Sequence, residues 1–422
     1  MHSPLSPLPS GEGLQPVQRE MAQREGPARP VLGTARSVAS RGIGAPRAAL
    51  RPRPDTQTST ARFRRRSSNT DPAMIPCMHA ASSPHRFCVA PMMGCTDRHA
   101  RYLMRLISRR ARLYTEMIPT GALLRGDAER ALRFDPAEHP VALQLGGSEP
   151  ADLARCARVA ERAGYDEVNL NVGCPSPRVQ RGCFGAALMA RPRLVAACVA
   201  AMRDAASIPI TVKSRIGIDD LDDYPRFRDF AGTVAEAGCA ALIVHARKAW
   251  LNGLSPRQNR EIPPLRHDRV YRLKRELPNL VVVLNGGLAD LDTAASALGR
   301  VDGVMLGRAV WHDLWLLAGV DRALFGAADP APVWNDVLRG YLAYARLQDT
   351  ARVAELVRPL LGLRRGTPGA RRWRRTLGEL ARRRDATIDT VARACASPPS
   401  GDRSGNAPAS FDHREAGLGA PA

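Results

Sequence analysis

Polar side chains end a series of short apolar runs in the middle of the chain. Each run has four to six residues rich in Val, Ile and Leu. The residues at the ends of these runs, most of them polar, are Met92-Met93, Glu116, Gln144, Asn171, Lys213, His245, Asn285 and Gly307-Arg308. Because the carboxyl ends of parallel strands meet at one edge of a sheet or barrel, we expect these groups to converge on one ligand site.

Two neighbouring strand ends carry glycines in a pattern typical of an anion site. Asn285-Gly286-Gly287 follows one run, and Gly307-Arg308 follows the next. Glycines let backbone N–H groups approach an anion, and Arg308 adds a positive charge. A Gly-Gly pair alone is typical of an ordinary turn. The Gly307-Arg308 pair at the neighbouring strand end favours a phosphate site.

One strand end carries a lysine, in a chain that has only three lysines. Lys213 ends the run Ile-Thr-Val-Lys, where a compact ammonium can lie against the region of a flavin that becomes negative on reduction. Gln144 and His245 can hydrogen-bond the same ring and its phosphate. A histidine at a strand end is also typical of a satisfied core imidazole.

A cysteine follows the fourth apolar run, in the loop Asn-Leu-Asn-Val-Gly-Cys-Pro-Ser. In such a loop over a ligand, the Cys174 thiol can act as a general acid that gives a proton to carbon. Cys183 lies in the same region and is the rival candidate. Four other cysteines are predicted to be inert buried thiols, namely Cys88, Cys156, Cys198 and Cys239.

The apolar runs predict the strands that position these groups. They span Phe87–Met92, Leu113–Glu116, Val141–Leu145, Glu167–Asn171, Ile210–Ser214, Ala241–His245, Val281–Asn285 and Gly303–Leu306. Helical stretches lie between most of them, and eight such units over about 230 residues predict a TIM (β/α)8 barrel. A doubly wound sheet is the competing fold, but no GxGxxG follows the first strand. We therefore expect an α/β fold, a TIM barrel followed by a small C-terminal helical domain.

Composition divides the chain into four parts. Residues 1–85 are rich in Pro, Ser, Gly and Arg and are predicted to be a disordered extension. Its Arg and Ser content is typical of a transit peptide, but its Pro-rich start favours a start codon wrongly chosen upstream of Met74 or Met78. Residues 86–330 form the predicted barrel, and residues 331–395 form the predicted helical domain. Residues 396–422 are predicted to be a disordered tail.

The net charge is +21, and it is unevenly distributed. Residues 1–85 carry +7 and residues 331–396 carry +8, and pairs such as Arg371-Arg372 and Arg374-Arg375 give the predicted helices a basic face. Arginine neutralises phosphates, so this pattern indicates a nucleic-acid partner. A general preference for Arg over Lys explains the same composition without a partner.

The cysteines do not predict disulfides or a metal site. There are nine, scattered without paired spacing, and neither a CxxC pair nor an HExxH motif is present. No apolar run approaches the roughly 18 residues of a membrane span. We expect a protein of the reducing cytoplasm, without a metal.

Several segments resemble the tRNA-dihydrouridine synthases. NLNVGCPSPRVQRGCFGAALM resembles the signature of that family. APMMGCTDRHAR, VKSRIGID, VHARKAWLNGLSPRQNREIPPL, VLNGG and LLGLRRGTPGARRWRR resemble its A-type bacterial subfamily, which acts on uridines 20 and 20a. The resemblance runs from about Phe87 to Leu377. It implies a TIM barrel that binds FMN, a helical domain that binds tRNA, and NADPH as the reductant.

The resemblance also assigns residues to roles. Cys174 matches the proton donor, and Asn171, Arg257 and Arg260 match tRNA contacts, to which the basic helical segment adds Arg371 and Arg374. The expected flavin residues are Pro91, Met92, Met93, Gln144, Lys213, His245, Asn285, Gly286, Gly287, Gly307 and Arg308. Cys183 departs from the pattern, since a basic residue is expected there.

Two other functions are compatible with parts of the pattern. A dihydroorotate-type FMN barrel that acts on a free pyrimidine would need no arginine-rich helices. An RNA-binding protein with a vestigial flavin site would bind tRNA without flavin. Dependence on tRNA and the presence of bound flavin distinguish these alternatives.

Overall fold

The computed structural model describes residues 83–396 of the chain. The predictions for the N-terminal extension and the C-terminal tail therefore lie almost entirely outside the described residues. The described residues all belong to one compact unit.

The structure contains nine parallel strands that occupy eight positions of a closed barrel. They are β1 (Phe87–Val89), β2 (Arg112–Tyr114), β3 (Ile118–Pro119), β4 (Val141–Gly146), β5 (Glu167–Val172), β6 (Ile210–Arg215), β7 (Ala241–His245), β8 (Val282–Asn285) and β9 (Gly303–Leu306). Consecutive strands from β4 to β9 pair in order, and β1 pairs with both β9 and β2. The barrel closes because β2 pairs with β4, so the predicted TIM fold is confirmed.

Two strands differ from the prediction. The first strand ends at Val89 rather than Met92, so Pro91 and the two methionines lie in the loop that follows. The second barrel position is split, because β2 pairs with the start of β4 and β3 pairs with its end. Between these two pieces, the Glu116 side chain accepts a hydrogen bond from the Gly94 N–H, which ties the two loops together at the barrel mouth.

Helices follow the strands around the outside of the barrel. They are α1 (Arg98–Ile107), α2 (Thr120–Arg125), α3 (Ala128–Leu132), α4 (Pro150–Arg162), α5 (Pro177–Arg181), α6 (Pro192–Ala205), α7 (Tyr224–Glu236), α8 (His267–Glu276), α9 (Leu291–Leu298), α10 (Arg308–His312) and α11 (Val320–Phe325). Their starts carry local signals: Asp97, Asp223 and Asp290 accept backbone N–H bonds as N-caps, and Pro150 occupies the first turn of α4.

Four helices complete the described chain. They are α12 (Trp334–Arg346), α13 (Val353–Val357), α14 (Ala370–Arg382) and α15 (Ile388–Ala396). The Tyr344 ring of α12 stacks on Tyr102 of α1 at 3.8 Å between centroids, and its hydroxyl lies 2.9 Å from His99 Nδ1. Trp373 and Leu377 of α14 are buried in the same hydrophobic cluster as α1. These helices therefore extend the core of the barrel rather than enclosing a core of their own.

The inside of the barrel is apolar on one side and polar on the other. The apolar side is a small cluster made of Cys88, Ala90, Tyr114, Ala142, Ile243, Val283 and Met305. The inward positions of β5 and β6 instead carry Glu167, Asn169 and Thr211, which are fully buried. None of the helices between residues 83 and 396 is long and apolar enough to cross a membrane.

Candidate active site

The strand register sets the predicted polar side chains beside one another at the carboxyl end of the barrel. Asn171 pairs with Lys213 across β5 and β6, and His245 pairs with Asn285 across β7 and β8. Arg215, at the end of β6, pairs with His245. Because residues two apart on a strand share a face, Lys213 and Arg215 project toward the same mouth.

Lys213 is a half-buried lysine near the end of β6. It forms no hydrogen bond or ion pair with another residue of the 83–396 range. Burial, together with the nearby Arg215 charge, lowers the pKa of Lys213 to about 7, while Cys174 opposes the shift. An ammonium in this position is poised to gain stabilisation from an acceptor or a negative charge on a ligand.

His245 faces the same mouth in its neutral form. Burial lowers the pKa of His245 well below its ordinary value, and the charges of Arg215, Lys213 and Arg247 act in the same direction. A neutral imidazole has one N–H donor and one acceptor nitrogen. The structure therefore supplies a hydrogen-bonding group here that does not add to the positive charge of its neighbours.

The turn after β8 is shaped by two glycines with positive φ angles. Gly286 has φ +100° and Gly287 has φ +78°. A Cβ at Gly286 would overlap the His245 ring, and one at Gly287 would overlap Leu265. The Asn285 amide donates to the Met305 carbonyl at 2.7 Å, so this side chain joins β8 to β9. The glycines thus leave the backbone bare beside the imidazole.

Arg308, at the neighbouring strand end, is paired with an acidic residue. Its guanidinium lies 3.0 Å from Glu261 Oε1 and also donates to the Arg260 carbonyl at 3.3 Å. Arg257 approaches the same carboxylate at 3.6 Å. Arg260 and Arg257 are exposed at the rim. The three arginines and Glu261 therefore form one cluster over the β7 loop.

The loop after β1 covers another side of the mouth. Met92 packs against the apolar cluster inside the barrel, and its backbone N–H donates to Thr96 Oγ1 at 3.0 Å. A Cβ on Gly307 would lie 3.2 Å from the Met92 sulfur, so the loop and the end of β9 are in close contact. Pro91 is half-buried, whereas Met93 is 66% exposed and points away from the packed core.

The loop that carries Cys174 is held by Asn171. The Asn171 Oδ1 accepts the backbone N–H groups of Gly173 and Cys174, both at 3.0 Å, and its Nδ2 donates to Gln144 Oε1 at 2.8 Å. The Cys174 thiol is half-buried and lies 3.6 Å from the Ser176 hydroxyl. It is close enough to Lys213 and Arg215 to oppose the lowering of both their pKa values.

The two rival thiols occupy different environments. Cys183 is exposed in the turn after α5, with φ 57°, and it has no part in the electrostatics of Lys213 or Arg215. The four cysteines predicted to be inert are buried. Burial raises the pKa of Cys156 to about 11 and that of Cys198 and Cys239 to about 12.

A basic cleft of about 1090 Å³ runs from the β1 loop to α14. Arg371 and Arg374 line it together with Gly94, Arg358 and Arg365. Neither Arg371 nor Arg374 forms an ion pair with another described residue, and both are exposed. The cleft thus extends from the β1 loop to the positive charges of Arg371 and Arg374 on α14.

Sequence reasoning missed three participants in this site. Arg215 is buried and donates to the carbonyls of Gly173, Lys248 and Asn259 at 2.8 to 3.2 Å, so it braces two loops of the mouth. Its spacing of two from Lys213 was the available signal. Asn169 had the same signal in its spacing from Asn171. Glu261 had none, because its partner Arg308 is 47 residues away in the chain.

Between residues 83 and 396, no group of three or more His, Cys, Asp or Glu side chains is arranged to hold a metal ion.

Comparisons with known proteins connect this site to one family. The family model described as "Dihydrouridine synthase (Dus)" matches residues 88–397. A protein of Pseudomonas syringae named tRNA-dihydrouridine(20/20a) synthase is 57% identical over 69% of this chain and 88% of its own. Proteins with the same name from Pseudomonas putida and Escherichia coli are 55% and 53% identical, covering 71% and 73% of this chain and 92% and 90% of theirs.

A search of solved structures gives a weaker likeness. Morphinone reductase aligns with a TM-score of 0.42 and 16% identity, over 61% of this chain and 91% of that chain. A likeness at this level supports no argument about function.

Proposed function

The chain belongs to the dihydrouridine synthase family, and we propose that it reduces uridines 20 and 20a of tRNA to dihydrouridine. The observation that carries this proposal is the identity of 53–57% to relatives named for that activity, over 88–92% of their length. The reaction adds two hydrogens across the C5–C6 bond of uracil. It needs a hydride donor, a proton donor and a surface for RNA.

We propose FMN as the bound cofactor and NADPH as the reductant. The residues at the mouth fit such a group. Lys213 offers an unpaired ammonium, His245 a neutral donor, and the Gly286-Gly287 turn a bare backbone, while the Arg308 end of β9 adds charge. One anion site suits a mononucleotide. A flavin held by these residues would supply hydride chemistry for C6 of the uracil ring, with NADPH as the source of the hydride.

We propose that side chains at the mouth would contact the flavin ring. The Lys213 ammonium balances negative charge that accumulates in its vicinity, and this would return its pKa toward the ordinary value. His245 donates a hydrogen bond without adding charge. Pro91, Met92 and Met93 belong to the loop that would cover the ring, and Gln144 would lie beside it. The residues that would hold its phosphate are Asn285, Gly286, Gly287, Gly307 and Arg308.

We propose Cys174 as the proton donor. Its S–H bond breaks as a C–H bond forms at C5 of the uracil ring, and the thiol becomes a thiolate. The charges of Lys213 and Arg215 lie close enough to stabilise that thiolate. Water can reprotonate it between turnovers, since the side chain is only half-buried.

The proposed tRNA surface surrounds the mouth and continues along the cleft. Asn171 lies at the mouth, Arg257 and Arg260 at its rim, and Arg371 and Arg374 on α14. A base in a folded tRNA must leave its stack before it can reach an enclosed ring. Arginines spaced over the rim and the cleft can hold the phosphates on either side of such a base.

The proposal is tested with unmodified tRNA transcripts and the purified holoprotein. We expect FMN on denaturation, and NADPH-dependent dihydrouridine at positions 20 and 20a, measured by mass spectrometry. Transcripts with cytidine at both positions and free UMP serve as controls and should remain unreduced. Bound FAD, product at other positions only, or reduction of UMP at a rate equal to that of tRNA would overturn the assignment.

A further inference from the structure

A continuous line of hydrogen bonds runs through the barrel interior below the Cys174 loop. The Cys174 N–H donates to Asn171 Oδ1, and the Asn171 amide donates to Gln144 Oε1 at 2.8 Å. The Gln144 amide then donates to Asn169 Oδ1 at 2.7 Å. The line therefore crosses from β5 to β4 and back to β5, one layer deeper in the barrel.

The line continues to the opposite end of the barrel. The Asn169 amide donates to Thr211 Oγ1 at 2.9 Å, and the Thr211 hydroxyl donates to Glu167 Oε1 at 2.5 Å. Asn169, Thr211 and Glu167 are fully buried. Glu167 also accepts from Tyr114 at 2.8 Å and lies 2.7 Å from His85 Nε2.

The two ends of the line determine the direction of every bond in it. A backbone N–H group at Cys174 can only donate, and an ionised carboxylate at Glu167 can only accept. Burial alone would raise the pKa of Glu167, but hydrogen bonding and charge from His85, together with Arg112, lower it below its ordinary value. Each amide between the ends must therefore turn its oxygen toward the loop and its nitrogen toward the carboxylate.

A line of aligned donors is more than a set of separate contacts. Each bond polarises the next, and a buried amide that loses one partner is costly to leave unsatisfied. If the Thr211 hydroxyl is removed, the Glu167 end of the line no longer fixes the orientation of the amides between Thr211 and the loop. The last of these amides is that of Asn171, whose oxygen holds the Cys174 loop.

From this geometry we propose that Thr211 and Glu167 are positioning residues for Cys174, acting through Asn169, Gln144 and Asn171. This role rests on the proposed function, because it serves the proton donor of that reaction. A purely structural role, in which the buried groups only stabilise the barrel, is the alternative.

Thr211→Val is the direct test, because valine keeps the shape of threonine and removes the hydroxyl. Ser214→Ala is the matched control: Ser214 lies on the same strand, is fully buried, and its hydroxyl has no partner among the described residues. Thr211→Ser restores the hydroxyl and should restore the parent behaviour.

The first readout is the rate at which iodoacetamide alkylates each cysteine of the holoprotein, mapped by mass spectrometry. In Thr211→Val we expect Cys174 to react faster by about threefold or more, since the Asn171 amide that holds its loop is less firmly fixed in orientation. The exposed Cys183 should keep its rate, and the buried Cys198 should stay protected. If alkylation of Cys198 increased as much as that of Cys174, the whole barrel would be less tightly packed, and this result would overturn the positioning role.

The second readout is a single turnover of uridine by the reduced enzyme. We expect a loss of about tenfold or more in Thr211→Val, because small displacements of a catalytic group have large effects on rate. Ser214→Ala should react like the parent. An unchanged Cys174 alkylation rate in Thr211→Val, or equal effects in Ser214→Ala, would refute the proposal.

Glu167→Gln provides the same test if Thr211→Val does not fold. It removes the charge that makes this end of the line acceptor-only, and Cys174 should again react faster while Cys183 does not. An unchanged Cys174 rate in this variant would overturn the proposal. If even the parent fails to reduce uridine, the proposed function is wrong, but the alkylation rates still decide the positioning role.

Discussion

Two cysteines compete for the same chemical role, and their surroundings differ at the level of single side chains. Cys174 is half-buried beside two positive charges, whereas Cys183 is exposed in a turn. Positive charge favours a thiolate and therefore helps a thiol to give up its proton. These surroundings favour Cys174 as the donor.

Cys174→Ala should lose most uridine reduction and keep its flavin and its NADPH oxidation. A positioned general acid contributes about 10²- to 10⁴-fold, so the rate of dihydrouridine formation should fall by that factor. The measurement is tRNA reduction beside stopped-flow reduction of the flavin by NADPH. Cys183→Ala is the matched control and should remain active; the reverse result would exchange the roles of the two thiols.

Lys213 is expected to lower the stability of the flavin-free protein. Burial lowers its pKa to about 7, so the unfolded chain binds more protons than the folded chain between pH 7 and about 10.5. The contribution of Lys213 to the free energy of unfolding therefore rises with pH through this window. Below pH 7 both states are protonated, and the cost of the buried charge is fully present.

Lys213→Met should therefore unfold at a higher denaturant concentration than the parent at pH 6, when both are free of flavin. The advantage should shrink as the pH rises toward 9.5. The same variant should bind FMN more weakly, since it lacks the ammonium. Urea titrations at several pH values and a flavin-binding titration measure both effects. A variant that is less stable than the parent at pH 6 would contradict this account of Lys213.

At the scale of elements, the strand ends and turns decide what the mouth can bind. The eight apolar runs predicted the strand positions, because strands that are buried on both faces consist of short apolar segments. The break between β2 and β3 was not predicted, because Glu116 leaves the ladder to bond a loop 22 residues earlier in the chain. Gly286 was predicted as part of the mouth, but its contact with His245 depends on the pairing of β7 with β8.

Gly286→Ala should weaken FMN binding by about tenfold or more, since a left-handed φ strains the alanine and its Cβ displaces the His245 ring. Gly253 provides the control: it also has a positive φ, at +78°, but no atom lies within 4 Å of its Cβ position. Gly253→Ala should show only the backbone strain. Titration of the flavin-free proteins with FMN measures the difference, and equal affinities for the two variants would argue against the role of this turn.

At the scale of the whole molecule, the helices after the barrel share its core and extend its basic surface. Helix α12 packs against α1 through Tyr344 and against α14 through the Trp334–Trp373 ring pair. Arg371 and Arg374 of α14 line the same cleft as Gly94 of the β1 loop. Buried residues of these helices, such as Trp373 and Leu377, belong to the same hydrophobic cluster as the barrel helices, and a small helical domain over residues 331–395 stays a prediction. This arrangement places the charge of the helices within reach of an RNA whose reactive base enters the mouth.

Replacing Arg371 and Arg374 with Ala should weaken tRNA binding and flatten its dependence on salt. Each arginine that neutralises one phosphate contributes roughly one unit to the slope of log affinity against log salt concentration. The control is Arg155 and Arg158 on α4, which are exposed with the same spacing of three. Binding is measured at several salt concentrations; the same slope in both double variants would show that charge on α14 has no special role. NADPH-driven reduction of the flavin should be unaffected by either change.

The sequence by itself determined the barrel, the polar strand ends and the candidate proton donor. Each of these depends on local patterns, such as apolar runs, a Gly-Gly turn, or a cysteine in a loop after a strand. Such patterns can be read from one sequence, because burial of a strand on both faces and the backbone freedom of a turn each depend on residues that are close together in the chain.

Only the tertiary structure decided which polar groups are partners. Gln144 meets Asn169 at a separation of 25 residues, and Thr211 meets Asn169 and Glu167 at separations of 42 and 44. Arg308 meets Glu261 across 47 residues. These contacts depend on the strand register and on closure of the barrel, which bring distant residues to one layer. A linear pattern cannot specify them, because the same residues would face other partners after a shift of one residue along any strand.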